Sequence, residues 1–304
     1  MYISYSGHKL ANCLRAYYFR YIAKVDPPKP SNSVHMLYGD TVGNIFEKFY
    51  EDQLWRDPKV KDRLTNMVRP TLSKIISKET SKGRVFNWDE PKLKKGNRSL
   101  EEVEQEVLET IPRGIQAIKH HRLVSRDARA EVKLDVDAGG HRLGGRSDFI
   151  MNRIKPHKDL VIVDGKGSRW REKYTNERQL RWYALLYWLN YGVIPDRLGF
   201  LYWRCQAEES MDWFEVSQSE LEALLNSIVT TCDEIEKSKR ELFKIKLKNK
   251  NDPGSLFMPN TSSECKLCDY LPLCADGQKH LSKDTKIEIG KELEHGVEDG
   301  GVSF

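Results

Sequence analysis

Between Ala130 and Lys166 the hydrophobic spacing of this chain switches from helical to strict alternation, and that switch constrains the fold more than any other feature. Ala130, Val132, Leu134 and Val136 alternate with Glu131, Lys133, Asp135 and Asp137, the pattern of a strand with one buried face. Gly139-Gly140 then turns the chain into a second strand over about residues 142–151. A turn over Asn152–Lys158, with Pro156 in it, leads to Leu160-Val161-Ile162-Val163. A short run that is apolar on both faces belongs in the middle of a sheet. Helical spacing resumes with Leu180, Tyr183, Ala184 and Tyr187 behind a cap at Asn176, and two more strands are predicted near 198–204 and 212–216. Ser217 and Glu220 form a capping box for a helix lined by Leu221, Leu224, Leu225, Ile228 and Ile235.

The sequence before this block reads as helical. Ser6 is placed as the cap of a helix carrying Leu10, Leu14, Tyr17, Tyr18 and Tyr21. Val42, Ile45, Phe46, Phe49 and Tyr50 mark a second helix, in which Gly39 and Gly43 lie one turn apart. A third is expected over 60–76, and 78–98 reads as a polar loop. Ser99 and Glu102 cap a helix through Val103, Val107 and Ile111, which Pro112 should kink or end. Lys237–Lys250 is a basic run, a phosphate-tracking segment or a solvated helix end. The tail from Ser282 lacks a core pattern and is expected to be poorly ordered. These divisions give a helical region over 1–120, a core over 121–216, a helix and cysteine region over 217–281 and a tail over 282–304.

Composition narrows the function only a little. At 304 residues and 39% hydrophobic, the chain can bury a real core. A net charge of +5 permits a nucleic-acid partner and equally fits an ordinary soluble protein. No secretory leader or membrane-length apolar run is visible, so a cytoplasmic protein without a membrane partner is expected. In a reducing compartment its six cysteines are better placed to bind a metal than to form a disulfide framework.

The chemistry concentrates in Gly144-Gly145-Arg146-Ser147-Asp148 and Val161-Ile162-Val163-Asp164-Gly165-Lys166. Asp164 and Lys166 are two apart on a strand and face the same way. Ionised groups leaving a buried strand need a partner or a metal. Asp148 ends the preceding strand and can meet them. Two converging carboxylates can hold Mg²⁺ or Mn²⁺, with the Gly165 carbonyl and Glu131 as further oxygen donors and Lys166 facing the growing phosphate charge. The bland alternative is an Asp–Lys ion pair at a strand end. Separately, Cys265-x₂-Cys268-x₅-Cys274 is a three-thiolate knuckle that needs a fourth ligand for zinc or for a [4Fe–4S] cluster. Cys205 and Cys232 read as buried thiols.

Taken in order, these segments resemble the PD-(D/E)XK superfamily, in particular its RecB-like branch with the iron–sulfur exonucleases of CRISPR adaptation. A Gly-Arg-x-Asp strand end is followed by Asp-x-Lys and then by Gln179-Leu180-Arg181-Trp182-Tyr183-Ala184. The stretch Tyr5–Cys13 with Tyr17–Tyr21 resembles the family's opening helix. The resemblance implies an α/β fold with a restriction-endonuclease-like core, a mixed central sheet flanked by helices, a helical N-terminal region and a C-terminal iron–sulfur clasp. It also implies catalytic roles for Asp148, Asp164 and Lys166, with Gln179 and Tyr183 beside them. Cys13 stands where those relatives supply the fourth cluster ligand to Cys265, Cys268 and Cys274. One departure is clear. Where the family has Gly-x-x-x-His-x-x-x-Glu, this chain has Gly39, Gly43 and Glu47, so Gly43 replaces a metal-binding His and Glu47 remains as an acid.

The expected activity is metal-dependent DNA hydrolysis, exonucleolytic by resemblance, on single strands or ends, in recombination, repair, phage DNA processing or CRISPR adaptation. A helicase or recombination partner would supply any unwinding, and the oligomeric state is left open. Arg169, Trp170, Arg171 and Lys173 are candidates for stacking and phosphate contact; Arg15 and Arg20 either touch phosphate or simply flank the opening helix; Trp182, Tyr187 and Trp188 are assigned to the core. The alternatives are a catalytically inactive DNA-binding iron–sulfur module and a redox or electron-transfer protein.

Overall fold

A computed structural model describes residues 1–27, 31–88, 99–153, 156–168, 171, 177–244 and 253–282. The chain divides into two compact units, Met1–Tyr5 with Pro30–Val229, and Ser6–Lys29 with Thr230–Phe304.

The larger unit is built on a mixed six-stranded sheet. Its strands are β1 (Tyr2–Ser4), β4 (Arg129–Ala138), β5 (His141–Asn152), β6 (Leu160–Lys166), β7 (Arg197–Tyr202) and β8 (Met211–Phe214). β4 and β5 form the hairpin that the Gly139-Gly140 turn demands, both glycines having positive φ. β5 and β6 are antiparallel, β6 and β7 parallel, and β7 and β8 antiparallel. The apolar run of β6 is therefore interior to the sheet, and Val161, Ile162 and Val163 have no exposed surface.

β5 changes partner along one edge. Its residues Arg142–Gly144 pair with β1, and Phe149–Asn152 pair with β6. The chain forks between Gly144 and Phe149, and Asp148 lies in the fork. β1 is too short to show a period and is not legible in the sequence.

Helices cover both faces of the sheet. On one face lie α3 (Val34–Glu51), α4 (Val60–Asn66), α5 (Val68–Thr80) and α6 (Leu100–His120), sharing a core with Phe149, Met151, Val161, Val163 and Trp203. Phe46 stacks on Trp203 with ring centroids 4.3 Å apart. A Cβ at Gly114 would come within 2.3 Å of Phe46, so only glycine lets α6 approach α3 this closely. On the other face α7 (Arg178–Tyr191) packs against β4, β5, β6 and β7. A short parallel pair, β2 (Ser31–Ser33) with β3 (Val85–Asn87), flanks α3.

Several sequence expectations need correction. The helix expected over 60–76 is two helices, α4 and α5, meeting at Met67. Pro70 explains the break, because it offers no N–H to the Asn66 carbonyl and its ring excludes that carbonyl. Pro112, expected to kink or end its helix, does not end it and sits inside α6. Burying Val103, Val107, Ile111, Ile115 and Ile118 gains roughly 1.5–3 kcal/mol each, more than the ~3 kcal/mol an interior proline costs. The loop expected over 78–98 contains the end of α5 and β3, and 89–98 lie outside the described residues. Tyr187 and Trp188 are half-buried instead of core. The cap expected at Asn176 lies outside the described residues; α7 begins behind Glu177. The Ser99–Glu102 and Ser217–Glu220 capping boxes are both present.

The smaller unit joins the two ends of the sequence. α1 (Tyr5–Ala11) stops before Cys13, α2 (Leu14–Tyr17) follows, and the chain then widens into a π-turn over Tyr18–Ile22. The single opening helix capped by Ser6 is therefore replaced by three short pieces, with Ser6 inside the first. The long helix α8 (Gln218–Lys244) enters this unit at Thr230. Three 3₁₀ turns follow at Gly254–Phe257, Ser263–Leu267 and Leu271–Leu273, then a helix over 275–282. Ala16, Tyr18, Phe19, Phe257, Tyr270 and Cys274 form its core. Cys232 is buried as expected, whereas Cys205, in the larger unit, is only half-buried. Residues 245–250 of the lysine run and the tail from residue 283 lie outside the described residues. Among the described residues no helix is long and apolar enough to cross a membrane.

Candidate active site

Asp148 faces Asp164 because the pleat of the β4–β5 hairpin slips. Gly145 points toward Tyr183, Trp182 and Leu186 of α7, while Phe149 packs on Tyr50 of α3, with ring centroids 4.7 Å apart. Residues 145 and 149 would share a face if the strand alternated strictly. The slip lies between them, opposite Glu131, whose φ of 50° is left-handed. The ladder pairs Ala130 with Phe149 and Val132 with Ser147, so Glu131 and Asp148 stand opposite each other where it is interrupted. Left-handed backbone at a non-glycine residue costs on the order of 1–3 kcal/mol and gathers at functional sites.

On this face the acids and Lys166 converge. The Asp148 Oδ2 accepts the Gly165 N–H at 2.8 Å. Asp164, only 2% exposed, is ion-paired with Lys166 through its Oδ2. Lys166 Nζ also donates to the Gln179 Oε1 at 3.0 Å, and the Gln179 Nε2 donates to the Tyr183 hydroxyl at 2.9 Å. Asp164, Lys166, Gln179 and Tyr183 thus form one connected chain of contacts. A Cβ at Gly165 would lie 2.6 Å from the Trp203 Nε1, so glycine allows β6 to rest on Trp203 there.

Burial raises the Asp148 carboxyl well above its ordinary range; the Asp164 charge adds to the rise and the Gly165 N–H opposes it. Burial also raises Asp164, against the pull of Lys166. Burial raises the Tyr183 phenol, and Asp164 adds to it, so this hydroxyl keeps its proton. Glu131 acts electrostatically on both aspartates and on Glu47, and its carboxylate accepts from the Arg146 Nη1 at 3.0 Å. Glu47 is raised by burial first and by Glu131 next. A Cβ at Gly43, one turn before Glu47, would meet nothing within 4 Å.

Tyr5 belongs to this site although the sequence placed it in the opening helix. Ser4 pairs with Gly144, which sets Tyr5 beside α7, its ring edge-on to Trp182 at 6.2 Å. Trp182 in turn donates to the Gly144 carbonyl at 3.2 Å. Burial raises the Tyr5 phenol, and the charges of Lys166 and Arg178 oppose that rise. Of the contact candidates after β6, Arg169, Trp170 and Lys173 lie outside the described residues, and Arg171 is ion-paired with Asp212. Arg15 is a correction: it is 8% exposed, and its guanidinium donates to the Phe257 and Gly254 carbonyls at 2.9 and 3.3 Å. It braces the smaller unit and is not positioned to meet phosphate. Arg20 is exposed.

In the smaller unit Cys13, Cys265, Cys268 and Cys274 line one cavity, walled by Phe19 and Tyr270. Three of the sulfurs receive a backbone N–H: Asn260 donates to Cys13 at 3.4 Å, Ser262 to Cys265 at 3.5 Å and Gly277 to Cys274 at 3.4 Å. A Cβ at Gly277 would be 3.5 Å from the Cys274 sulfur and 3.7 Å from the Cys265 sulfur. Among the described residues no three His, Cys, Asp or Glu side chains are grouped as a site for a single metal ion. In the larger unit the aspartates instead engage Gly165 and Lys166, so a cation would have to displace or share those partners.

The sequence model of the PD-(D/E)XK nuclease superfamily matches residues 3–275. The chain belongs to that superfamily, and it is a nuclease of the hydrolase class. Nucleases of this superfamily generally use divalent metals such as Mg²⁺ or Mn²⁺. No curated protein matches the sequence. Among solved structures, a candidate exonuclease from Eubacterium rectale is similar at a TM-score of 0.42 and 12% identity, over 81% of this chain and 83% of that one. The protein SSO0001 is similar at a TM-score of 0.29 and 11% identity, over 89% of this chain and 96% of that one. The family match, the mixed sheet and its flanking helices agree on a restriction-endonuclease-like core.

Proposed function

We propose that this chain is a divalent-metal-dependent deoxyribonuclease, an exonuclease acting on single strands or DNA ends in recombination, repair, phage DNA processing or CRISPR adaptation. The observation that carries the reading is the pleat slip at Glu131, which turns Asp148 onto the face that holds Asp164, Lys166, Gln179 and Tyr183. A plain strand-end ion pair needs no such distortion.

Asp148 and Asp164 would hold Mg²⁺ or Mn²⁺, with the Gly165 carbonyl, Glu131 and Glu47 as further oxygen donors; two carboxylates turned to one face suit a hard cation, which would share the Asp164 Oδ2 with Lys166. When bound, the ion supplies a polarised phosphodiester and a more acidic water. Gln179 and Asp164 hold the Lys166 ammonium so that its charge faces the phosphate as negative charge grows there. Tyr183 orients Gln179 and keeps its proton, acting as a positioning residue.

Cys13, Cys265, Cys268 and Cys274 would hold a [4Fe–4S] cluster. Four thiols on one cavity, three of them with a backbone N–H donor, suit a thiolate-bound cluster. The cluster would tie residue 13 to residues 265–274 as a structural clasp. A helicase or recombination partner would supply duplex unwinding.

The test is incubation of purified protein with end-labelled single- and double-stranded DNA, with Mn²⁺, Mg²⁺ or EDTA, beside Asp164→Asn. Metal-dependent product ladders abolished in the variant are expected. Equal cutting by the variant would remove the catalytic assignment.

A further inference from the structure

Beside the carboxylates and Lys166, the catalytic face has a second set of donors that the proposed chemistry does not use. Tyr5 is half-buried, its ring is fixed edge-on to Trp182, and its backbone follows directly from the β1–β5 pairing. Among the described residues no hydrogen bond to its hydroxyl is found. The hydroxyl is not closed off from solvent, so a ligand can reach it. Both Lys166 and Arg178 act electrostatically on this hydroxyl. Arg178 opens α7 one turn before Trp182, and it is exposed. A neutral O–H donor and a guanidinium on the same side as Lys166 match the non-bridging oxygens of a phosphodiester, which accept from both.

We propose that Tyr5 and Arg178 form a phosphate-binding subsite, taking a phosphodiester of the substrate strand next to the one that is cut. The inference rests on the nuclease reading for its substrate class. Tyr5 donates its hydroxyl proton to a phosphate oxygen, and Arg178 offers two N–H groups and its charge. Lys166 remains with the scissile group. The subsite sets the register of the strand, because the metal-binding acids can reach only the linkage beside the one that Tyr5 and Arg178 grip. The surface would therefore take a continuous strand of at least two linkages in preference to a lone terminal nucleotide.

The test uses the full-length protein and a labelled single-stranded oligonucleotide. Binding is measured by fluorescence anisotropy in EDTA, so no cleavage is needed for the readout. Tyr5→Phe removes one oxygen from a half-buried ring, and Arg178→Gln removes an exposed charge. Thermal midpoints equal to that of wild type would show that both fold. Each variant is expected to bind about tenfold more weakly, the loss of one charge-assisted or neutral phosphate contact. Oligonucleotides carrying a single neutral methylphosphonate linkage, scanned along the strand, give the second readout. At the linkage that Tyr5 and Arg178 hold, the modification should weaken wild type and leave the variants nearly unaffected.

Equal losses for the variants at every modified position, or binding by both variants as tight as wild type, would overturn the subsite. So would a wild-type protein that binds no DNA. The outcome for the nuclease reading is separate. If wild type binds with this pattern but cuts in neither Mn²⁺ nor Mg²⁺, the subsite stands and catalysis falls. If wild type cuts and the variants retain its affinity and its KM, catalysis stands and the subsite falls.

Discussion

Glu131 stands directly across from Asp148 on paired strands, and its backbone is left-handed at a φ of 50°. That conformation reverses the alternation of β5 and brings Asp148 to the α7 face. Glycine adopts it without the steric cost that a Cβ brings, which is about 1–2 kcal/mol. Glu131→Gly should therefore be more stable than Glu131→Ala by about 1 kcal/mol in urea denaturation, since both lose the same carboxylate and the same contact with Arg146. If alanine is the more stable of the two, the strain at this position is not real and the account of how Asp148 is aimed fails with it.

This distortion also marks the limit of what the sequence could tell. The alternation from Ala130 to Val136, the Gly139-Gly140 turn and the apolar run before Asp164 made the central strands legible, because burial on one or two faces writes its period directly into the residues. The pairing of Asp164 with Lys166 followed from strand geometry alone. The slip was not legible: the strand keeps its alternating pattern while one residue changes backbone region, and Glu131 looks like any solvent-facing acid. Nor was the role of Pro70 seen, although the reason α4 and α5 separate is local and chemical. Tyr5 escaped because β1 is three residues long, and three residues cannot display a period. The cysteines were legible as a knuckle with a candidate fourth partner, but the N–H donors to three of the sulfurs depend on turns the sequence does not announce.

Two glycines of the larger unit should respond oppositely to a methyl group. Gly43 is in the middle of α3 with open space around its would-be Cβ. Gly43→Ala should raise stability by about 0.8–1.0 kcal/mol through helix propensity alone. Gly165→Ala would drive a Cβ into the Trp203 ring and should destabilise by about 1–3 kcal/mol, the range for overpacking a core. Paired chemical denaturation curves separate the two cases.

The same open space makes Gly43 a place to restore the imidazole that the family resemblance implies. Gly43→His should fold as stably as wild type, because nothing within 4 Å opposes its Cβ. Glu47 lies one turn further along the same helix face, and its carboxyl feels the charge of Glu131, so the new ring would stand beside an acid that borders the site. Mn²⁺ affinity measured by calorimetry should rise by about tenfold, as expected for one added nitrogen ligand to a metal that accepts imidazole. Unchanged Mn²⁺ affinity in a folded Gly43→His variant would place this face of α3 outside the metal site.

The four cysteines predict a cofactor that can be counted. Anaerobically purified protein should contain about four iron and four inorganic sulfide per chain, with broad visible absorption. Cys13→Ser and Cys268→Ser should each lose the cluster, whereas Cys205→Ser should keep it, because Cys205 lies in the other unit. Stoichiometric zinc in place of iron and sulfide would replace the cluster with a single-ion site.

The clearest pH signature lies away from the acids of the active site, at Arg153 and Asp159. The Arg153 side chain is only 3% exposed, and its Nε donates to Asp159 at 2.8 Å in a two-pronged contact; its guanidinium also lies 4.6 Å from the centre of the Trp213 ring. Hydrogen bonding to Arg153 holds the Asp159 carboxyl below its ordinary range. A carboxylate depressed on folding contributes stability that is complete above its unfolded value, near 4, and is lost as pH falls through the folded value. Wild type should accordingly lose this contribution between about pH 4 and the acid limit of folding. Asp159→Asn leaves the buried guanidinium with neutral partners, the His121 carbonyl among them, and should cost on the order of 3 kcal/mol at pH 7. The difference between wild type and variant should shrink steadily below pH 4, as protonation of Asp159 makes the two alike. Denaturation midpoints at pH 7, 5, 4 and 3 give the comparison. A gap that stays constant down to pH 3 would mean that the charge of Asp159 is not what Arg153 holds.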